Sequence, residues 1–272
     1  MVLNEEHVKK LKLYNDTVEL MFDEDKHSYS INGTKIIGTT TALGVLHKPA
    51  LLPWAVKMTI THLESCLKPG IIYDEIEIKN MLEDAKFAHK RRSSNAMDVG
   101  TGVHSWIQQH VAGLKPPMPV NQLMQNAIGA FLKWEKDHKV KFLESERLLY
   151  SKKHNYAGTL DFIAKVDGKI KIGDFKTSTG IYDEMWFQVA AYLQAYLEEF
   201  PSKEVVGGII VRIGKDGALE IGERKDKDGK ILENGDYIAD VKKNAAVFNA
   251  ALTIYRRQAE LKAEHPWVPW KK

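Results

Sequence analysis

The sequence predicts an α/β protein with a central mixed β-sheet flanked by helices and preceded by an N-terminal extension of strands and helices. Three observations predict it. The run KFLESERLLY (141–150) alternates as a strand and leads into AGTLDFIAKVDGKIKIGDFKTSTG (157–180). There Asp167-Gly168, between two alternating runs, marks a two-residue hairpin turn, because both central positions require positive φ. EVVGGIIVRI (204–213) is predominantly apolar and reads as a buried strand. Around these strands apolar residues recur at helical spacing, at Val103, Ile107 and Val111 and again through Ala245, Phe248 and Leu252.

The elements follow in order. The first fifty residues read as short strands, with HSYSINGTKII (27–37) centring a hairpin on Asn32-Gly33 and a threonine-rich GTTTALGVL (38–46) behind it. From Leu51 to about Phe87 the pattern is helical, LLPWAVKMTITHLESC (51–66) being its clearest amphipathic piece and KPG (68–70) its break. A basic patch, His89 to Arg92, precedes the helix of SSNAMDVGTGVHSWIQQHV (93–111). GLKPPMPV (113–120) is a loop, and a helix occupies about 121–137. After the 157–180 hairpin, EMWFQVAAYLQAYLEEF (184–200) is helical. A further strand is expected around 218–223, a turn-rich loop over 225–236, a long C-terminal helix from Ile238 to Tyr255, and a proline-broken tail, HPWVPWKK. No linker composition separates independent domains. The expected division is an extension over 1–95, a core over 96–264 and a tail over 265–272.

Composition sets bounds. The 44% hydrophobic and 28% charged content of these 272 residues is ordinary for a globular protein. A net charge of +3 permits an acidic partner without requiring one. Cys66, the sole cysteine, excludes a disulfide framework and a four-cysteine metal or iron–sulfur site, which suits a reducing compartment. MVLNEEHVKK lacks the apolar core of a signal peptide, and no apolar run reaches membrane-spanning length, so the expected location is cytoplasmic with no membrane partner.

The hairpin raises a chemical problem. A two-residue turn at Asp167-Gly168 pairs Val166 with Lys169 and, continuing outward, sets Asp161 opposite Asp174 and Thr159 opposite Lys176 on one face. Like charges directly opposite are destabilising, and Ile163, Ile170 and Ile172 argue that the hairpin is partly buried. A cation between the carboxylates removes the conflict. Held beside a lysine, such a cation binds a phosphate oxygen and generates hydroxide, while the ammonium steadies developing negative charge. Taken alone, Asp174-x-Lys176 is also what a salt-bridged surface pair looks like. Glu146 reaches the Asp161 face if the loop after its strand holds an even number of residues, with Glu144 as competitor. His104, one turn into a helix opened by Gly100-Thr101-Gly102, reads either as a boundary residue or as a donor completing an oxygen-rich site suited to Mn²⁺ or Mg²⁺. Gln188 and Tyr192 are four apart on one helix face and either line a nucleic-acid groove or pack on the sheet.

Together these residues resemble the RecB-like branch of the PD-(D/E)XK nuclease superfamily, through GTGVH (100–104), Glu146, GTLD (158–161), DFK (174–176) and QVAAY (188–192). The stretch 27–55 is similar to the front portion of phage-type nucleases of that branch, and mitochondrial genome-maintenance exonucleases are similar too. The resemblance implies a restriction-endonuclease-like core. It further implies that His104, Asp161, Asp174 and the Phe175 carbonyl hold Mg²⁺ or Mn²⁺, that Lys176 assists the attacking water, that Glu146 orients the site or a second cation, and that Gln188 and Tyr192 complete the wall. Asp174 stands where many restriction enzymes have Glu, and Leu160 where many have Pro. The cysteines of cluster-bearing relatives are absent, so no iron–sulfur cluster is expected.

The function expected on this basis is a divalent-metal-dependent DNA exonuclease acting at DNA ends in phage-type recombination, repair or processing, with a single-strand-binding or annealing protein as an associated partner. His89, Lys90, Arg91 and Arg92 read equally as a basic wall tracking the phosphate backbone and as a solvated charge run. The helical stretch Leu51–Val99 stands in sequence where an arch or wall would be, and Trp54, Trp106 and Trp186 read as stacking surfaces or core. The competing readings are a structure-selective or sequence-specific endonuclease, and a nuclease fold kept only for binding.

Overall fold

The computed structural model describes residues 7–201, 204–205, 207–222 and 234–264. In chain order the elements are β1 (Val8–Leu13), β2 (Val18–Asp23), β3 (Ser28–Ile31), β4 (Thr34–Gly38), α1 (Thr39–Leu43), α2 (Leu51–Cys66), α3 (Glu75–Ala85), α4 (Ala88–Val111) and α5 (Gln122–Asp137). There follow β5 (Lys141–Ser151), β6 (Tyr156–Val166), β7 (Lys169–Lys176), α6 (Asp183–Glu199), β8 (Gly208–Ile213), β9 (Leu219–Gly222) and α7 (Asn234–Glu264). The result is a mixed sheet flanked by helices, the fold class expected. Most of the expected 225–236 loop and all of the 265–272 tail lie outside the described residues. Among the described residues no helix is long and apolar enough to cross a membrane.

Two compact units divide the chain, one comprising residues 1–46 and 107–272 and the other 47–106. These limits differ from the expected boundary after residue 95. The first forty-six residues group with the core because their last strand, β4, pairs in parallel with β6 at Ile37↔Tyr156 and Gly38↔Ala157. The smaller unit is helical, as the 51–87 pattern predicts. Its α2 buries none of its residues, and Leu52 is 75% exposed. α3 is closed at its start by a capping box, in which Asp74 and Glu77 satisfy each other's backbone N–H groups.

In the larger unit, the hairpin turns form where the sequence places them. Asp167 and Gly168 sit at φ 49° and 83° and pair Val166 with Lys169, while Asn32 and Gly33 sit at 49° and 75° and pair Ile31 with Thr34. The strand order is β1-β2-β3-β4-β6-β7-β8-β9, with β5 on β6. β7 and β8 are parallel, the rest of this half antiparallel. β5 runs along one edge of β6 from Tyr156 to Lys165. β4 and β7 therefore share the other edge, β4 at Tyr156 and Ala157 and β7 from Phe162 to Val166. Neither ladder reaches the stretch between them, Gly158–Asp161.

Packing explains both covers of this sheet. On one side Phe162 and Phe175, with ring centroids 4.6 Å apart, meet Trp134 of α5 at 5.6 and 5.7 Å. All three are essentially inaccessible, and burying each such side chain contributes roughly 2–3 kcal/mol. Gly173 makes room for this stack, since a Cβ there would lie 1.9 Å from the Phe162 ring. On the other side Ile163 and Ile172 join Ala191, Tyr192 and Leu193 of α6, with Phe248 and Leu252 of α7 behind. The meander β1–β4 forms a third cluster, Leu13, Leu20, Phe22, Tyr29 and Ile36 closing on Leu148 and Ala157.

Candidate active site

β6 departs from simple alternation at the residue of most chemical interest. Tyr156 faces α6, its hydroxyl donating to the Ala191 carbonyl at 2.7 Å, and Gly158 lies against Tyr192 of the same helix. Ile163 joins that helix's cluster too, although it has the opposite parity. A strand of period two does this only with one irregular rung. The rung is Glu146 opposite Asp161: pairing runs Ser145↔Phe162 and Arg147↔Leu160, and between them Glu146 adopts φ 50°. A left-handed conformation costs a non-glycine residue roughly 1–2 kcal/mol, and such strain concentrates at functional sites. Glu144, the competitor, pairs across from Ile163 and is drawn into an ion pair with Arg147, which also reaches Glu199 at 3.4 Å. Glu146 is the glutamate on the Asp161 rung. Its carboxylate lies 3.9 Å from the Lys9 ammonium of β1.

The facing aspartates follow from the hairpin register. The last rung of the β6–β7 ladder is Phe162↔Gly173, so Asp161 and Asp174 come next. In place of a backbone rung, Asp161 Oδ2 accepts the Phe175 N–H at 2.6 Å. The N–H and C=O of one extended residue point to the same edge, so the Phe175 carbonyl is turned toward β6 as well. Asp174 is 2% exposed, and its Oδ2 is paired with the Lys176 ammonium. Thr159 does not lie opposite Lys176 as the extrapolated register predicts. With the ladder ended and the alternation shifted, it pairs with Leu148 of β5 and its hydroxyl meets Tyr29 of β3 at 2.9 Å.

Lys176 continues inward. Its Nζ donates to Gln188 Oε1 at 3.0 Å, and Gln188 Nε2 donates to the Tyr192 hydroxyl at 2.6 Å. Because an ammonium only donates, it fixes which end of the Gln188 amide faces it. Gln188 and Tyr192 are both buried, so packing and site are one arrangement here and the open groove is not formed by them. Burial pulls the Lys176 pKa down, but Asp174 and Asp161 outweigh it, and the ammonium is held above the ordinary lysine value. Burial pushes the Tyr192 phenol well above its usual range, and Asp174, Tyr29 and Asp161 raise it further. Both groups stay protonated through neutral pH.

Asp161, Asp174 and the Phe175 carbonyl bring oxygen donors together beside the Lys176 ammonium. That set suits a hard divalent cation such as Mg²⁺ or Mn²⁺. Among the described residues no three His, Cys, Asp or Glu side chains are drawn together as a ready-made cation cage. The donors that the larger unit offers are the two aspartates and the Phe175 carbonyl. His104 is half-buried on α4, within the span of the smaller unit. His89 to Arg92 belong to that unit too, and Arg91 is already engaged there, forking onto Asp84 at 2.8 and 3.0 Å. Lys90 lies over the Phe87 ring at 5.5 Å. Of the three tryptophans, Trp106 is buried and Trp54 and Trp186 are half-buried, Trp186 against Met185, Val189 and Ile210. Tyr29 is a site neighbour that the sequence does not mark, beyond a tyrosine set between two serines in SYSI.

No family model matches the chain. No curated protein matches it either. Among solved structures, "Crystal structure of SSO0001" aligns over 71% of this chain and 86% of that one, at 14% identity and a TM-score of 0.27. A likeness of that degree carries no argument about fold or function.

Proposed function

We propose that the protein is a divalent-metal-dependent deoxyribonuclease, an exonuclease hydrolysing phosphodiester bonds from DNA ends. One observation carries the proposal: Asp161, Asp174 and Lys176 share one face where β6 and β7 part, with the ammonium anchored by Gln188. Resemblance to RecB-like nucleases through GTLD, DFK and QVAAY supports the same reading. Asp161, Asp174 and the Phe175 carbonyl would hold a Mg²⁺ or Mn²⁺, and the bound cation would supply Lewis-acid polarisation of the phosphoryl group and a more acidic water. Asp161 is held by the Phe175 N–H, so it keeps its place without substrate. Lys176 presents fixed positive charge where negative charge develops on the phosphoryl oxygens, and needs no reorganisation to do so. Gln188 and Tyr192 aim that ammonium, and Glu146 borders the same rung of the sheet.

The test compares end-labelled linear duplex, linear single strands and covalently closed circles with Mg²⁺, Mn²⁺ and EDTA. Degradation of linear DNA, abolished by EDTA and sparing circles, is the expected result. Circles cut at the linear rate make the protein an endonuclease. No cleavage with either metal, but retained DNA binding, makes it a binding module.

A further inference from the structure

The N-terminal meander touches the candidate site through a side chain that the proposed chemistry does not use. Tyr29 of β3 is 8% exposed, and its hydroxyl meets Thr159 Oγ1 at 2.9 Å. Its ring is stacked on Phe22, with centroids 4.6 Å apart and an interplanar angle of 29°. Gly38 lies close beneath, where a Cβ would come within 3.2 Å of Tyr29 Cε2. One residue further, the buried Thr39 hydroxyl donates to the Ala157 carbonyl at 2.9 Å. β6 is thus gripped at 157 by Thr39 and at 159 by Tyr29. In between, Gly158 sits so close to Tyr192 and Thr39 that a Cβ would lie 2.6 and 2.7 Å from them.

These contacts fall at the one part of β6 that lacks a ladder on this edge. A strand segment held on one side only has a weakly specified height, and Asp161 ends that segment. We propose that Tyr29 is a positioning residue of the candidate active site, acting through Thr159 to hold the unladdered stretch of β6 where Asp161 faces Asp174. The inference rests on the nuclease reading and adds to it a role for the meander outside the core motifs. Groups that orient a first ring of ligands typically change affinity or rate by about 10–100-fold when removed, because misplacement of an ångström is felt directly at the reacting atoms.

The experiment compares Tyr29→Phe with Tyr14→Phe. Each deletes one phenol hydroxyl that ties the meander region to the β5–β6 pair, Tyr14 donating to the Tyr150 carbonyl at 2.8 Å. Three quantities are measured: kcat on linear DNA, KM for that DNA, and the Mn²⁺-dependent rise in Tm, which reads cation binding without turnover. Tyr29→Phe should lower kcat roughly tenfold with KM near wild type, and should need roughly tenfold more Mn²⁺ for the same Tm rise. Tyr14→Phe should change Tm in the absence of metal and leave the other readouts alone. Combining Tyr29→Phe with Thr159→Val should lose no more than Thr159→Val alone, since the two hydroxyls act as one unit. Wild-type kcat and Mn²⁺ response in Tyr29→Phe, or a loss equal to that of Tyr14→Phe, overturns the inference while leaving the nuclease reading standing. A wild-type protein that is stabilised by Mn²⁺ but cleaves nothing overturns the nuclease reading, and the Mn²⁺ response then decides the role of Tyr29. A wild-type protein that shows neither response overturns both.

Discussion

At the residue scale, Asp161→Asn and Asp174→Asn should each abolish cleavage and leave the fold intact. Each removes one of two carboxylates that face each other where the β6–β7 ladder ends, which relieves like-charge repulsion when no cation is present. The check is a pair of measurements per variant, a thermal melt without metal and a cleavage assay with it. Full activity in either variant excludes the pair from the chemistry. Lys176→Ala should reduce kcat about a hundredfold, on the order of 3 kcal/mol, with DNA affinity nearly unchanged, because its charge is needed most in the transition state. Steady-state kinetics beside equilibrium binding separate the two. Lys176 also makes a pH prediction. Its folded pKa lies above the unfolded value because of Asp174 and Asp161, so its contribution to stability is complete below the ordinary lysine pKa and is lost as pH rises through the folded value. A melting profile from pH 8 to 11 should fall more steeply at its alkaline end in the wild type than in Lys176→Met. Parallel profiles would mean that the ion pair has no net effect on folding.

At the element scale, the decisive feature is the single irregular rung in the β5–β6 pair. Glu146 at φ 50° lets β5 and β6 change which parity faces α6, and it sets Asp161 at the point where β6 leaves β7. The left-handed backbone predicts an ordering of variants. Glu146→Val should be less stable than Glu146→Gly by roughly 1–2 kcal/mol, because a β-branched residue is penalised there and glycine is not. Urea titrations of the two variants measure the difference, and equal midpoints would show that the rung relaxes. Gly158→Ala tests the neighbouring contact. A methyl group 2.6 Å from the Tyr192 ring must displace it, and with it Gln188, so both stability (about 1–3 kcal/mol) and turnover should fall. A drop in stability with unchanged kcat would uncouple Tyr192 from the site.

At the scale of the whole molecule, the DNA attraction implied by the proposed function depends on the charge left over after internal pairing. Arg91 is held by both oxygens of Asp84 and also donates to its backbone carbonyl, whereas Arg92 is exposed. Arg92→Gln should therefore flatten the salt dependence of DNA binding by roughly one unit of slope, while Arg91→Gln should mainly loosen the smaller unit. Binding isotherms between about 50 and 200 mM salt, with melts of both variants, check this. Equal slopes for the two would show that Arg91 leaves Asp84 for phosphate.

The sequence by itself determined what depends on neighbours along the chain. Positive φ at Asp167-Gly168 and Asn32-Gly33 is a local demand, and it set two hairpin registers and hence the confrontation of Asp161 with Asp174. Spacing by four put Gln188 and Tyr192 on one helix face, and the apolar run before Lys215 made β8 a fully buried strand. Tertiary structure alone decided where that local logic stops. Counting outward from the turn carries the ladder to Thr159, but pairing ends at Phe162↔Gly173 because Asp161 takes the Phe175 N–H and because β4 occupies the same edge of β6 further along. Parity could not tell Glu146 from Glu144. The bulge at Leu143 and the left-handed Glu146 both depend on β5 being paired along its whole length. Nor could distance along the chain bring Tyr29 to Thr159, since 130 residues separate them and only the parallel pairing of β4 with β6 closes that loop. Turns and helix faces are written in short-range geometry, whereas which carboxylate faces which partner is settled by the edge that a distant strand takes up.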